Sequence, residues 1–598
     1  MMTVSRFHIV ISFGASLMLS GCLGNIMPFS QKTDYTLSGI EENDALSSYL
    51  QDVLDDRLSE KLEESDDPVL AARRETYREE MIKADLVKAL QAKGYYDGAV
   101  QYEDDPDKSL TGLYRIEPGP AYTVESVTVE PAEFSALLDE NAVGEGDVLD
   151  AALVLADQKA LSSAIQKGHC YFSLRVKNAV ILDKASHTAR LRYDVEAAAE
   201  GHFGPVIFTG ESSVKTSYLQ QLVPWKEGEC YRQEKIEQFR ATLLESGLFV
   251  KADAVLPDAP DSDGTVPVEI TLQDRAQRTI RAGTSYYTDE GVGLSLGWEH
   301  RNYFGAAEKL SIGLNLSMLK QSLEADLLKP LFLRKDQSLS LKTALRRQDT
   351  DAFEETGFDI GGNIIRKFHP RLTGSTGVKL SLTEITEENN LQNDSTLYGL
   401  LSFPTSLTFD NRNNALDPHR GWLLNAAVTP FMDVLGESDP FVKLQLGAST
   451  YLSFDEENRY ILALRATYGS ILGSGKFDIP PTERFYAGGG GSVRSFGYQE
   501  IGPKDSDGDP LGGRSMVTGS AEMRVKFTDT IGAVAFVDAG SVSDNSVTAM
   551  DDLAVGAGMG LRYYTSFGPL RFDVAVPLTA KEDLERSYQF YISIGQAF

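Results

Sequence analysis

Hydrophobic and polar positions follow two rhythms along this chain, and the rhythm changes near residue 275. Before that point, helical spacing and strand spacing take turns. The stretch from 204 reads most clearly. Val206 to Thr209 predicts a short strand, Val214 to Leu222 a helix and Arg232 to Glu245 a second helix. Phe249 to Val255 and Val266 to Leu272 predict two strands, joined by a turn rich in Pro, Asp and Gly between Pro257 and Gly264. The order is β-α-α-β-β. A helix that ends in Gly and runs into an aromatic strand occurs at Leu90–Tyr96, Ile165–Phe172 and Leu244–Phe249, with Gly94, Gly168 and Gly247 lying 74 and 79 residues apart. Gly there is expected to close each helix with a left-handed cap. The middle copy fits a strand at Tyr122–Val129, a helix at Ala151–Ile165 and strands at Tyr171–Ile181 and Thr188–Val195. Three repeats are therefore expected, over 33–118, 119–203 and 204–276. The first carries an acidic helix pair (Asp52, Asp55, Asp56, Glu60, Glu63, Glu64), read as a solvated face.

From Thr279 to Phe598, 320 residues show two-residue periodicity and almost no helical pattern. Leu310, Ile312, Leu314, Leu316 and Met318 alternate with Ser311, Gly313, Asn315 and Ser317; Val442, Leu444, Leu446 and Ala448 alternate with Lys443, Gln445, Gly447 and Ser449. A soluble sandwich alternates with its apolar face inside. A membrane barrel turns the same alternation inside out. At about 20 residues per strand and connection, the region makes about sixteen antiparallel strands. The last strand, Tyr588 to Phe598, ends in an aromatic residue suited to an interfacial girdle. The region 277–598 is expected to be this barrel. Its first strand, Arg278 to Tyr287, alternates poorly, and Gly595 interrupts the last. The seam near Gly595 and Phe598 is the expected weak line.

Export supports the barrel. Residues 1–21 read as a secretory signal, with Arg6 before an apolar stretch from Ile9 to Leu19. Leu19-Ser20-Gly21-Cys22 resembles a lipobox, which marks Cys22 for lipidation; ordinary signal-peptidase cleavage nearby is the plain alternative. In an oxidising compartment Cys170 and Cys230 could form one disulfide, although spacing cannot give their distance. The chain has 598 residues and a net charge of -30, which argues against a nucleic-acid partner. A hydrophobic fraction of 42% with 24% charged residues excludes wholesale disorder. Beyond the N-terminus no apolar run reaches the ~18 residues a spanning helix needs.

No catalytic constellation emerges. The seven His include no H-E-x-x-H pattern. Gly488 to Gly491 follows Phe485-Tyr486 in strand context and lacks a phosphate-binding Lys. Asp505-Ser506-Asp507-Gly508-Asp509 hints at calcium, but Met516 stands where such a loop needs Glu. No cofactor and no metal site is expected, and the chain is read as a non-enzyme.

Several stretches share one resemblance. Gly488-Gly489-Gly490-Gly491-Ser492-Val493-Arg494-Ser495-Phe496-Gly497-Tyr498 resembles the VRGF/VRGY motif of POTRA-plus-barrel assembly factors, with Ser495 in place of the usual Gly. Asp410-Asn411-Arg412 with Pro418-His419-Arg420-Gly421, and Asn302-Tyr303-Phe304-Gly305, resemble two further signatures. Phe536-Val537-Asp538-Ala539-Gly540 and Gly568-Pro569-Leu570-Arg571-Phe572-Asp573 complete the set. The chain thus resembles this superfamily, the bacterial surface antigen family, and its three repeats resemble TamA-type members. The resemblance implies α+β periplasmic POTRA repeats before an all-β transmembrane barrel in the bacterial outer membrane. It implies assembly or translocation of barrel and autotransporter clients with a TamB-like periplasm-spanning partner, among outer-membrane lipids. Anchorage of a TamB-like lipid bridge and a two-partner-secretion-type pore are the alternatives. It also implies an inner lock in which Arg494, with Phe496 on the same loop, is held by Glu522 and Asp538.

Overall fold

The computed structural model describes residues 35–40, 43–59, 68–103, 112–288, 290–387, 395–548, 552–565, 568–579, 588–594 and 596. Cys22, Gly595 and Phe598 lie outside them.

One compact unit holds the N-terminal part. Its first sheet contains β1 (Tyr35–Ser38), β2 (Ala99–Glu103) and β3 (Gly112–Glu117), in the order β1-β3-β2. Helices α1 (Asp44–Ser59) and α2 (Pro68–Ala92) cover it. Leu46, Leu50 and Leu54 recur every fourth residue, as do Ile82, Leu86 and Leu90, so each helix buries one stripe against Val100, Tyr114 and Ile116. Asp52, Asp55 and Asp56 are on the exposed side of α1. The second sheet, β4 (Thr123–Glu130), β5 (Leu174–Asp183) and β6 (Thr188–Ala197), has the equivalent order β4-β6-β5. In both sheets the middle strand pairs with one neighbour in parallel and the other antiparallel. The second copy has only a six-residue 3-10 turn, Ala132–Leu137, before α3 (Ala151–Gly168). Asp150 caps α3 by accepting from the N–H groups of Ala152 and Leu153 at 2.8 and 3.4 Å.

The expected glycine caps divide. Gly94 has φ +88, and a Cβ there would sit 2.5 Å from the Leu149 carbonyl oxygen. Gly247 is also left-handed, at φ +70. Gly168 is not. It is the last residue of α3, and His169 leaves the helix extended at φ -131 while its N–H donates to Ile165 O. The His169 ring stacks on Tyr171 at 5.0 Å, and the extended His169 stands in place of the expected left-handed cap. Cys170 and Cys230 are both disulfide-bonded.

The second compact unit carries most of the third repeat and the barrel. The repeat comprises β7 (His202–Thr209), α4 (Thr216–Leu222), α5 (Gln233–Glu245), β8 (Phe249–Val255) and β9 (Thr265–Asp274), with sheet order β7-β9-β8. Phe203 stacks on Trp225 at 4.4 Å, and Phe239 meets the indole edge-on at 5.5 Å.

The barrel runs through β10 (Arg278–Tyr287), β11 (Gly291–His300), β12 (Lys309–Leu316), β13 (Lys320–Lys329), β14 (Gln337–Thr350), β15 (Phe353–His369), β16 (Leu372–Thr386), β17 (Thr396–Ser402), β18 (Thr405–Asp410), β19 (Gly421–Asp433), β20 (Phe441–Ser453), β21 (Tyr460–Leu472), β22 (Ser515–Lys526), β23 (Ile531–Ser543), β24 (Ala554–Thr565), β25 (Gly568–Pro577) and β26 (Gln589–Ile594). Both β17 and β18 lie between β16 and β19, so these seventeen segments make sixteen strands of a closed antiparallel barrel. The break falls at Phe403-Pro404, where Pro has no N–H for the ladder.

The faces are inverted relative to a soluble core. Leu345, Ile360, Met559, Leu561 and Phe572 point outward and are exposed. Their strand neighbours Arg346, Glu355, Asp359, Arg562 and Asp573 turn inward, and Arg346 donates to Glu355 at 3.0 Å. Charge is tolerated inside because it is paired, and the apolar wall faces lipid.

The third repeat is clamped to the barrel by the Asn302-Tyr303-Phe304-Gly305 turn. Buried Asn302 donates from Nδ2 to Ser213 O at 3.2 Å, and Lys215 N–H donates to Gly305 O at 2.7 Å. Asp274, closing β9, accepts from Ser212 Oγ at 2.8 Å, Ser213 N–H at 2.8 Å and Ser213 Oγ at 2.6 Å. Burial alone would raise the Asp274 pKa, but these donors outweigh it and hold the carboxyl below its ordinary value. A depressed folded-state pKa stabilises at pH above the unfolded value, about 3.9, and that contribution is lost as pH falls through the folded value. Proteolysis of the 275–277 linker should therefore stay slow down to about pH 4 and rise only below it. Asp274→Asn should speed cleavage at neutral pH and flatten the acid transition; an unchanged pH profile would remove Asp274 from the clamp.

Candidate functional site

The connection 473–514, between β21 and β22, folds back into the barrel lumen. Gly488 and Gly489 make the return at φ +111 and +88, and a Cβ on Gly488 would lie 2.3 Å from Gly497 O. The Ser492 hydroxyl accepts from Gly488 N–H at 2.9 Å and donates to Gly488 O at 3.1 Å. Ser495 is not among the left-handed residues, so this turn does not require Gly there. Its Oγ packs against the backbone of Gly556, where a Cβ would come within 1.6 Å.

Arg494 is 2% exposed. Its Nε and Nη2 donate to the two Asp538 oxygens at 2.7 and 2.9 Å, a bidentate pair, and its own N–H adds a third bond at 3.1 Å. Nη1 donates to Glu522 at 2.8 Å, and Nη2 also reaches Ser520 Oγ at 3.1 Å. The guanidinium lies 3.4 Å from the Phe536 ring centroid. Strand periodicity sets this up, because Ser520, Glu522 and Arg524 share the inner face of β22 as Phe536 and Asp538 share that of β23. The structure brings Arg494, Glu522 and Asp538 together. It sends Phe496 elsewhere, into an apolar cluster with Ala487, Val493, Ile501, Val542 and Ala554. Phe496 packs the loop against the wall and takes no part in the ion pairing.

Sequence reasoning missed the rest of the network. Arg524 donates to Glu522 at 2.8 Å, Arg562 pairs with Asp573, and Arg571 lies 3.0 Å from Asp573. Four buried arginines (494, 524, 562, 571) thus share three buried carboxylates (522, 538, 573). Two-residue spacing could have placed 522 with 524 and 571 with 573. Only the register across four strands shows that they converge.

The loop also reaches the seam. A Cβ on Gly490 would lie 2.9 Å from the buried Tyr591 ring on β26, and Tyr591 sits 5.6 Å from Tyr287 on β10. Among the described residues β10 and β26 pair only as Tyr286↔Ile592 and Tyr287↔Tyr591, against ten pairs between β10 and β11. Thr288 extends the contact by one rung, its N–H donating to Phe590 O at 3.2 Å and Phe590 N–H donating to its Oγ1 at 3.0 Å. Gln596, near the end of the chain, is held from the lumen: Arg562 donates to its Oε1 at 3.0 Å and it donates to Asp417 at 2.9 Å. Asp417 belongs to the loop of the Asp410-Asn411-Arg412 motif, in which Arg412 grips Asp410 through Nε and Nη2 at 3.0 and 2.9 Å. Among the described residues no group of His, Cys, Asp and Glu is arranged to hold a metal.

Comparison with known proteins agrees with this architecture. Residues 302–598 match the Omp85 superfamily domain, and residues 201–275 match the surface antigen variable number repeat, or POTRA. The outer membrane protein assembly factor BamA of Nitratidesulfovibrio vulgaris is 22% identical over 536 residues, 84% of this chain and 66% of that protein. The sorting and assembly machinery component 50 homolog B of Xenopus laevis is 26% identical over 48% of this chain and 63% of its own length. The chain therefore spans less than two thirds of these curated relatives. The crystal structure of Haemophilus ducreyi BamA lacking POTRA domains 1-3 shares the fold, with TM-score 0.69 at 17% identity over 79% of this chain and all of that one. An Omp85 superfamily domain behind a POTRA repeat, with apolar strands turned to lipid, makes this chain a member of the Omp85 superfamily, its barrel in the bacterial outer membrane and its POTRA region in the periplasm.

Proposed function

We propose that the protein assembles or translocates outer-membrane clients by opening its seam, and that the role is non-enzymatic. The observation that carries this reading is the disparity in strand pairing among the described residues, two register pairs and the Thr288–Phe590 rung at the seam against ten pairs at the neighbouring hairpin. Each cross-strand pair contributes roughly 0.2–1 kcal/mol, so the cylinder parts most readily there. Parting exposes the N–H and C=O edges of β10 and β26, which can template an incoming strand. Arg494 would keep the lumen loop in place while the wall moves. The names of the assembly factors this chain resembles support the same reading.

A finer reading is a TamA-like factor working with a TamB-like partner that docks on the POTRA region. The three sheets ahead of the barrel support it. Reconstitution tests the whole proposal. The full chain in proteoliposomes should speed the folding of an urea-denatured outer-membrane barrel several-fold over empty liposomes, read by protease protection. Equal rates, with correctly folded protein present, would reject the assembly role. Co-purification of a periplasm-spanning protein from native membranes tests the partner, and its absence under cross-linking would reject the finer reading.

A further inference from the structure

Across the cylinder from the seam, the lipid-facing wall is not smooth. Two apolar grooves, about 650 and about 460 Å³, run over β14 to β22 and share Leu407, Ala426 and Leu446 as a common wall. Small outward residues make the larger groove: Gly374, Thr376, Thr405 and Ala426 line it. At Gly374 a Cβ would lie 2.7 Å from the Phe368 ring, so glycine keeps this end open.

The periplasmic end of the larger groove carries a charge on the lipid-facing side. Arg366 stands on the same face of β15 as outward Ile364 and Phe368. Its guanidinium lies 5.3 Å from the Phe368 ring centroid, and its Nε donates to Asp336 at 2.8 Å. Two adjacent periplasmic turns add to it. Residues 329–337 and 366–371 hold six Lys and Arg and one Asp, a surplus of five positive charges, in a chain with 57 basic and 87 acidic residues. The surplus is local and runs against the charge of the whole molecule. Lipid tails are as apolar as leucine, so a groove alone would bind any tail weakly. An arginine beside it favours a headgroup whose phosphate charge is not offset by an ammonium of its own, since guanidinium and phosphate form charge-assisted paired bonds.

We propose that this wall is a binding site for an anionic diacyl phospholipid of the periplasmic leaflet, with its phosphate on Arg366 and its two acyl chains in the two adjoining grooves. The site does not depend on the assembly role, because it involves neither the seam nor a client. Such a lipid would brace the barrel wall that stays still, on the side away from the seam.

Native mass spectrometry of the full chain, delipidated in detergent and offered phosphatidylglycerol or phosphatidylethanolamine, tests it. The wild-type protein should retain phosphatidylglycerol at about tenfold lower concentration than phosphatidylethanolamine. Arg366→Ala should erase that preference, and Ala426→Phe, which fills the shared wall from the lipid side, should weaken retention of both lipids. Folded state is checked by heat-modifiable migration on gels. Equal retention of the two lipids by the wild-type protein, an Arg366→Ala protein that keeps the preference, or an Ala426→Phe protein that binds normally would each overturn the site.

Discussion

Replacing Arg494 with alanine should release the lumen loop and abolish most client assembly while leaving the barrel in the membrane. Arg494 makes five side-chain hydrogen bonds or ion contacts to Asp538, Glu522, Ser520 and Asp573. Without it Asp538 keeps the Ser520 hydroxyl and the residue-494 N–H, too little for a carboxylate that is 1% exposed. Breaking one partner out of a buried ion pair costs about 3–5 kcal/mol. At about 1.4 kcal/mol per decade, the loop-in state loses at least about a hundredfold in population. Glu522 suffers less, because Arg524 still donates to it. Limited proteolysis of 488–502 should become rapid, and assembly in proteoliposomes should fall at least tenfold. Arg494→Lys should lie between, since an ammonium keeps the charge but loses the planar fork that matches Asp538. An Arg494→Ala protein with a protected loop and full activity would show that the network is lumen filling only.

How much of this was legible in the sequence depends on the distance over which residues must meet. The two-residue period of β12 and β20 gave the barrel and its about sixteen strands, because alternation is local and repeated. The bounds of β10 and β8 are those read from the sequence; Gly247 and Pro257 punctuate β8, and Asp289 follows β10. The Gly-rich loop identified Arg494 through its neighbours in the chain. Asp573 stands in the Gly568–Asp573 motif, but nothing local ties it to Arg494. It lies 79 residues from Arg494, and only the register of β22 to β25 brings it to 3.5 Å. Arg524, Arg562 and Arg571 escaped for a related reason: a charge on the polar face of a strand looks the same whether water or a carboxylate faces it. Phe496 follows Arg494 by two residues, yet side chains two apart on a tight turn can face different surroundings, and Phe496 packs in the apolar cluster. Gly168 shares its sequence position with Gly94 and Gly247, but its helix ends on the extended His169, whose N–H donates to Ile165 O.

The lumen loop meets the seam. Gly490 touches Tyr591, Tyr591 faces Tyr287, and Asp417 with Arg562 holds Gln596 from inside. On the proposed function, assembly requires the first and last strands to part. Tyr286 and Ile592 are register partners on the outer face, away from the Tyr591 contact. Facing residues of an antiparallel pair have Cα atoms about 4.5–5.5 Å apart, inside the range a disulfide spans. The double variant Tyr286→Cys, Ile592→Cys should therefore cross-link on mild oxidation without distorting the wall. With the bond complete by non-reducing gel, client assembly in proteoliposomes should drop at least tenfold and recover when a reductant is added. Unimpeded assembly through a fully bonded seam would contradict the account.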